Sequence, residues 1–226
     1  MIDEERLWTN MLSSQPLCFN LFGGMKLDAD KANKFFRHLF PDYVAEVNGI
    51  YFEHSPGRGN PAFTADYTAF DVLVVCTTVD GESGFIAIEV KYTETMTEPP
   101  ATMRPRYDEL SNSVGVYNTP DSTALRGNPL QQLWREHMLS RVMIDNDAYS
   151  TGRFVVIYPS QNHQCAAAVK SYQKHLISND PDISGFQALT LNDCVEAFRA
   201  IGDKETADAL HGRYLDFERI EQVIFG

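Results

Sequence analysis

Two apolar runs joined by a short turn, FDVLVVC (70–76) and GFIAIEVKY (84–92), set the framework for this chain. Both are rich in β-branched and aromatic residues, and both read as buried strands. The linker VDGESG is short enough for an antiparallel hairpin. Side chains alternate across a strand, so Glu89 and Lys91 project from one face. Ile86, Ile88, Val90 and Tyr92 then project from the other. Asp71 stands at the head of the preceding strand. An acid and a lysine two positions apart in an apolar strand are costly to bury. A bound cation and an anionic ligand would complete their charge balance.

The remaining segments build around this hairpin. Residues 3–12 read as a short helix, and SSQPLCFNLFGG as an apolar arm ending in a glycine turn. LDADKANKFFRHLF has a helical apolar stripe (Phe35, Phe36, Leu39), with Asp28 or Asp30 as cap and Pro41 as stop. YVAEVNGIYFEHS is the expected first strand, with a bulge at Gly49, and SPGRGNP is a loop. Residues 96–127 are expected to be irregular, with a helical piece near Arg104–Ser111; excursions of this length are commonly functional. NPLQQLWREHMLSRVMID is the clearest helix, with Asn128 expected at the cap and Pro129 at the first helical position. RFVVIYP and FQALTL follow as strands, with CAAAVKSYQKHL as a helix between them. One or two helices over LNDCVEAFRAIG and DKETADALHGRYLDFERIEQVI close the chain. The expected class is α/β: a mixed central sheet flanked by helices, in the order α-β-β-β-α-β. A single domain over 1–226 is expected, with an N-terminal arm (1–27), a catalytic core (28–160) and C-terminal αβα elements (161–226).

Composition excludes several classes. No stretch approaches the ~20 apolar residues of a membrane span, and MIDEERLWTNM lacks the apolar region of an export signal. Cys18, Cys76, Cys165 and Cys194 form no CxxC pair, so a zinc site is not expected and the thiols read as reduced and cytoplasmic. The net charge of −12 opposes a nucleic-acid role, because phosphate contacts call for Lys and Arg. That charge is uneven: residues 1–98 hold seven basic and fifteen acidic side chains, 99–160 six of each, and 161–226 six and ten. The middle segment is therefore free to carry a locally positive surface.

Glu-x-Lys alone is a common triplet; here it occurs once, on an expected core strand that follows a strand headed by Asp71. In this order of elements, AFD (69–71) and EVK (89–91) resemble the PD-(D/E)XK, or restriction-endonuclease-like, nuclease superfamily. Phe70 stands where the family name has Pro. The resemblance covers roughly residues 28 to 160, and SSQPLCFNLFG, IAIEVKYTE and LQQLWR are similar to a bacterial branch of it. It implies hydrolysis of phosphodiester bonds, in DNA rather than RNA, with Mg²⁺ or Mn²⁺. Asp71 and Glu89 would be metal ligands, the Val90 carbonyl would complete the shell, and Lys91 would activate the water and stabilise the transition state. Divalent ions polarise the phosphoryl oxygen and acidify bound water, and Mg²⁺ suits a site of few carboxylates.

The resemblance implies a further acid upstream: Glu53 is the first choice and Glu46 the second. It also implies a glutamine from the long helix. Gln132 is the better match, Gln131 shares a helix face with Arg135, and Arg135 presents a planar fork to phosphate. The alternative for these residues is a surface Gln/Arg set beside a Trp134 anchor. Arg58, between glycines, is a second phosphate-contact candidate; Tyr92 and Tyr107 are candidates for base stacking or for core. Many such nucleases pair to cut two strands, which leaves room for a homodimer. The competing reading is a catalytically silent relative acting as a binding or assembly subunit, which the acidic charge favours.

Overall fold

The computed structural model describes residues 4–146 and 149–218. Five strands, β1 (Val44–His54), β2 (Phe70–Thr78), β3 (Ser83–Val90), β4 (Thr151–Tyr158) and β5 (Phe186–Thr190), form one sheet in the spatial order of the chain. β1, β2 and β3 are antiparallel neighbours, while β3, β4 and β5 run parallel. The parallel half is linked by α5 (Gln131–Asp145) and α6 (His163–Gln173), since parallel strands need crossovers.

Helices cover both faces. α2 (Ser14–Leu27), α3 (Ala29–Leu39), α8 (Leu191–Ala200) and α9 (Lys204–Tyr214) pack on the face carrying Val72, Val74, Ile86, Ile88 and Val90. α4 (Pro105–Ser113), α5 and α6 pack on the face carrying Leu73, Phe85 and Ala87. By strand alternation Asp71, Glu89 and Lys91 belong to this second face. β4 is buried from Gly152 to Ile157, as expected of a strand covered on both sides. The Gly49 irregularity is present as a register shift between Val47 and Gly49. α1 (Glu4–Thr9) and a short α7 (Pro181–Ser184) complete the helices named here. The closing helix is formed over Lys204–Tyr214, and its expected continuation from 219 onward lies outside the described residues.

Two local expectations are corrected. SSQPLCFNLFGG is no arm with a turn: it is helical throughout α2, Gly23 and Gly24 included. Ser13 caps it by accepting from the Gln15 N–H at 3.1 Å, and Leu17, Leu21, Phe22 and Met25 are buried. Nothing lies within 4 Å of a Cβ built on Gly23. Burial of four large side chains outweighs the ~1 kcal/mol helix cost of each glycine. The long helix begins at Gln131, with Leu130 at its N-cap, and not at Pro129. The Asn128 amide donates to the Glu98 carbonyl at 2.8 Å, which ties the preceding turn to the loop after β3 instead of capping the helix. α3 matches its expectation: the Asp28 side chain accepts from Lys31 N–H at 3.0 Å.

Candidate active site

Sheet register brings the acids together. Phe52 pairs with Val72 and His54 with Phe70, so position 53 lies beside position 71. Val72 pairs with Ile88, and the next step along the same ladder sets Asp71 beside Glu89. Glu53, Asp71 and Glu89 thus occupy one row across three strands. Glu53 adopts φ +50°, a left-handed conformation uncommon for a residue with a side chain. Glu46 pairs with Thr77 at the other end of β1 and is exposed, which removes it from this row.

Lys91 follows β3 and keeps the ladder going, its N–H donating to the Ile157 carbonyl at 2.8 Å. Glu89 and Lys91 are only 5% and 6% exposed. The Lys91 ammonium lies 2.9 Å from Glu89 Oε1 and donates to Gln132 Oε1 at 2.8 Å. Gln132 Nε2 closes the ring by donating to Glu89 Oε1 at 2.7 Å, and also donates to Glu136 Oε1 at 2.9 Å. Gln132 therefore bridges the glutamate and the lysine.

Electrostatics mark the cluster as short of positive charge. Burial, then the neighbouring Glu89, push the Asp71 carboxyl well above its usual range, against the Val90 N–H that donates to Asp71 Oδ2 at 2.8 Å. Burial and Glu89 likewise push the Glu136 carboxyl up. Burial opposes the charge on Lys91, yet Glu89 and Glu136 outweigh it and hold the ammonium above the ordinary lysine range. Desolvation and like charge are recognisable causes of such shifts, and they concentrate at functional sites.

Glu136 is the residue that sequence reasoning missed. It is 3% exposed, and its Oε2 has no hydrogen-bond partner. Its signal was available: it lies one helical turn after Gln132, on the same face.

Arg135 is braced by a second cluster. Its Nη2 donates to Thr68 Oγ1 at 2.7 Å and its Nε lies 3.7 Å from Asp66 Oδ2. Burial works against the Asp66 charge, but hydrogen bonds from Thr64, Thr68 and Tyr107 hold its carboxyl below the usual range. Gln131 departs from its substrate-binding expectation. It is 2% exposed and clasps the Ala101 backbone, accepting from the N–H at 2.6 Å and donating to the carbonyl at 2.7 Å. Tyr92 and Tyr107 are core residues, packed edge-on against Tyr214 and Trp134. Arg58 is exposed, its guanidinium 4.8 Å from the centre of the Tyr67 ring. Tyr67, Thr68, Arg135, Gln132 and Glu136 all line one cavity of ≈ 280 Å³ beside the cluster.

The donor set is all oxygen, which fits a hard divalent cation and not zinc. Among the described residues, no group of three or more His, Cys, Asp or Glu stands as a ready-made metal cage. The excess of carboxylates over one lysine is the observation that fits a cation here.

A five-stranded mixed sheet between two helical layers, with two acids and a lysine meeting at adjoining strand ends, defines a restriction-endonuclease-like protein. Residues 1–216 match the PD-(D/E)XK nuclease superfamily, and the chain belongs to it. The match extends well beyond the 28–160 stretch that carried the resemblance. Neither a curated protein nor a solved structure matches the chain. Membership supports a nuclease-type function and implies a nucleic-acid substrate. No helix among the described residues is long and apolar enough to cross a membrane.

Proposed function

We propose that this protein is a divalent-cation-dependent nuclease that hydrolyses phosphodiester bonds in DNA. The observation that carries the reading is the buried ring of Glu89, Lys91 and Gln132 beside Asp71. Asp71 and Glu89 would hold Mg²⁺ or Mn²⁺ with the Val90 carbonyl, and Glu53 is the candidate upstream acid of the same row. When bound, the cation would acidify water and neutralise phosphoryl charge. The chain's own contribution is positioning and electrostatics. Lys91, fixed as an ammonium by Glu89 and Gln132, offers positive charge to the developing pentavalent phosphate. Gln132 keeps Lys91 from swinging away, and Arg135, fixed by Thr68 and Asp66, presents a guanidinium along the approach to the site. Arg58 adds a positive group at the rim.

Purified protein is expected to nick or degrade DNA with Mg²⁺ or Mn²⁺, and Lys91→Ala to lower the rate at least about a hundredfold without unfolding. Full activity in that variant refutes the assignment. The net charge of −12 favours one rival, a silent relative acting as a binding or assembly subunit. It requires no divalent uptake by calorimetry and no cleavage of any DNA form.

A further inference from the structure

A second polar cleft, of ≈ 260 Å³, opens at the far end of the sheet, between the β2–β3 turn, the start of β4 and α7. Gly84, paired there with Thr151, and Glu89 of the catalytic cluster lie on one strand, ~17 Å apart at ~3.3 Å per residue. Two arginines line the cleft. Arg153, 7% exposed, is fully engaged: it stacks over the Tyr43 ring at 4.3 Å, pairs with Asp182 and donates to Gln187 Oε1 at 3.4 Å. Arg141, half-buried on α5, is not. Its Nε is sealed from solvent without a partner; Nη1 and Nη2 are not sealed, and they too meet no acceptor among the described residues. Glycine at 185 makes room for this guanidinium, since a Cβ there would lie 3.1 Å from Nη1. A guanidinium partly withdrawn from water without a counter-ion is costly, and its two terminal nitrogens form a fork that matches a carboxylate.

We propose that this cleft binds a lysine-type diamino acid, its carboxylate held by Arg141 and its two ammonium groups by the acids of the rim. The rim decides the class of ligand. Asp42, Asp80 and Glu82 are exposed on it and have no ion-pair partner among the described residues. Three carboxylates repel a bare phosphate, a nucleic-acid strand or any other polyanion, whereas Arg141 calls for an anionic group. A small molecule with one carboxylate and two ammoniums meets both demands. One free cation against three free acids leaves the cleft net negative, and such a ligand brings net positive charge. The volume, about nine times that of a liquid water molecule, takes the roughly ten heavy atoms of lysine. The site is separate from the cleavage centre and does not depend on the nuclease reading.

The test uses L-lysine, cadaverine, L-norleucine and inorganic phosphate as probes, titrated calorimetrically into the full chain at low ionic strength, where exposed charges are least screened. Cadaverine lacks only the carboxylate of lysine, and L-norleucine only the ε-ammonium. L-lysine is expected to bind one to one and at least about tenfold more tightly than either analogue, the ratio expected from one hydrogen bond to a charged group. Arg141→Gln should remove the preference over cadaverine. Asp80→Asn combined with Glu82→Gln, both at exposed sites, should remove the preference over L-norleucine; this pair decides the matter if Arg141→Gln does not fold. No saturable binding of L-lysine, equal affinity for either analogue, tighter binding of phosphate than of L-lysine, or an unchanged ratio in a folded variant overturns the site. The result is separable from the nuclease reading. Selective L-lysine binding without DNA cleavage keeps this cleft and sinks the enzyme, whereas cleavage without L-lysine binding does the reverse.

Discussion

Asp71→Asn should make the metal-free protein more stable while removing its response to magnesium. The reasoning starts from crowding: Asp71 lies beside Glu89 in the sheet register and feels Glu53 as well, with Lys91 as the nearby counter-charge. Asparagine keeps the oxygen that accepts from the Val90 N–H at 2.8 Å, so the strand-end hydrogen bond survives. What disappears is a desolvated charge whose carboxyl is held above its usual range. For an acid raised in the fold, the stabilising share is present below the ordinary carboxyl pKa, near 4, and is lost as pH rises through the raised value. At pH 7 the wild type therefore carries a penalty that the variant lacks. A gain of about 1–2 kcal/mol is expected after the lost attraction to Lys91 is set against it. In a chain of this size that raises Tm by roughly 2–8 °C. Saturating Mg²⁺, near a hundred times its Kd, should stabilise wild type by about 2.7 kcal/mol and the variant hardly at all. Thermal melts at pH 7 and pH 5, with EDTA and with Mg²⁺, read all of this. A variant less stable than wild type in EDTA, or an equal Mg²⁺ response in both proteins, refutes the electrostatic account.

Three further outcomes follow from other parts of the molecule. His137 is fully buried, accepting at Nδ1 from the Tyr172 hydroxyl at 2.9 Å while Nε2–H donates to the Ser184 carbonyl at 2.8 Å; burial lowers its pKa to about 3. Its stabilising share is present above pH ~6.5 and drains as pH falls toward 3, at most about 5 kcal/mol. Urea titrations from pH 7 to 4 should show a steeper loss in wild type than in His137→Gln, and parallel slopes would contradict it. Gln131→Ala removes both hydrogen bonds to Ala101 and should cost about 1–3 kcal/mol, with faster amide exchange at Ala101; unchanged exchange there would deny Gln131 its clasp. A Cβ on Gly152 would lie 2.2 Å from the Phe85 ring. Gly152→Ala should therefore lower stability by about 1–3 kcal/mol in chemical denaturation, and a neutral result would show that the ring moves freely.

Much of the fold was legible because burial writes itself into periodicity. The five strands and helices α3, α5, α6, α8 and α9 are legible in apolar spacing, α4 falls where a helical piece interrupts the loop, and the short α7 has no counterpart in the sequence reading. α2 was misread because two glycines look like a turn; its buried face against the sheet decides the matter, and that face is not a local property. The start of α5 was misread for a similar reason, since Asn128 found its partner 30 residues away.

The candidate site divides along the same line. Sequence determined that Glu89 and Lys91 would share a face, because alternation along a strand is a matter of covalent geometry; strand pairing then set Asp71 beside Glu89. Only the sheet register decided that Glu53 and not Glu46 stands in their row, because strand pairing fixes partners that sequence distance does not. Only the packing of α5 on the sheet turned Gln132 into the brace between Glu89 and Lys91, sent Gln131 to the Ala101 backbone, and buried Glu136 with one oxygen unanswered. Neighbouring residues on one helix face different surroundings about 100° apart, and which surroundings those are is set by the tertiary structure alone.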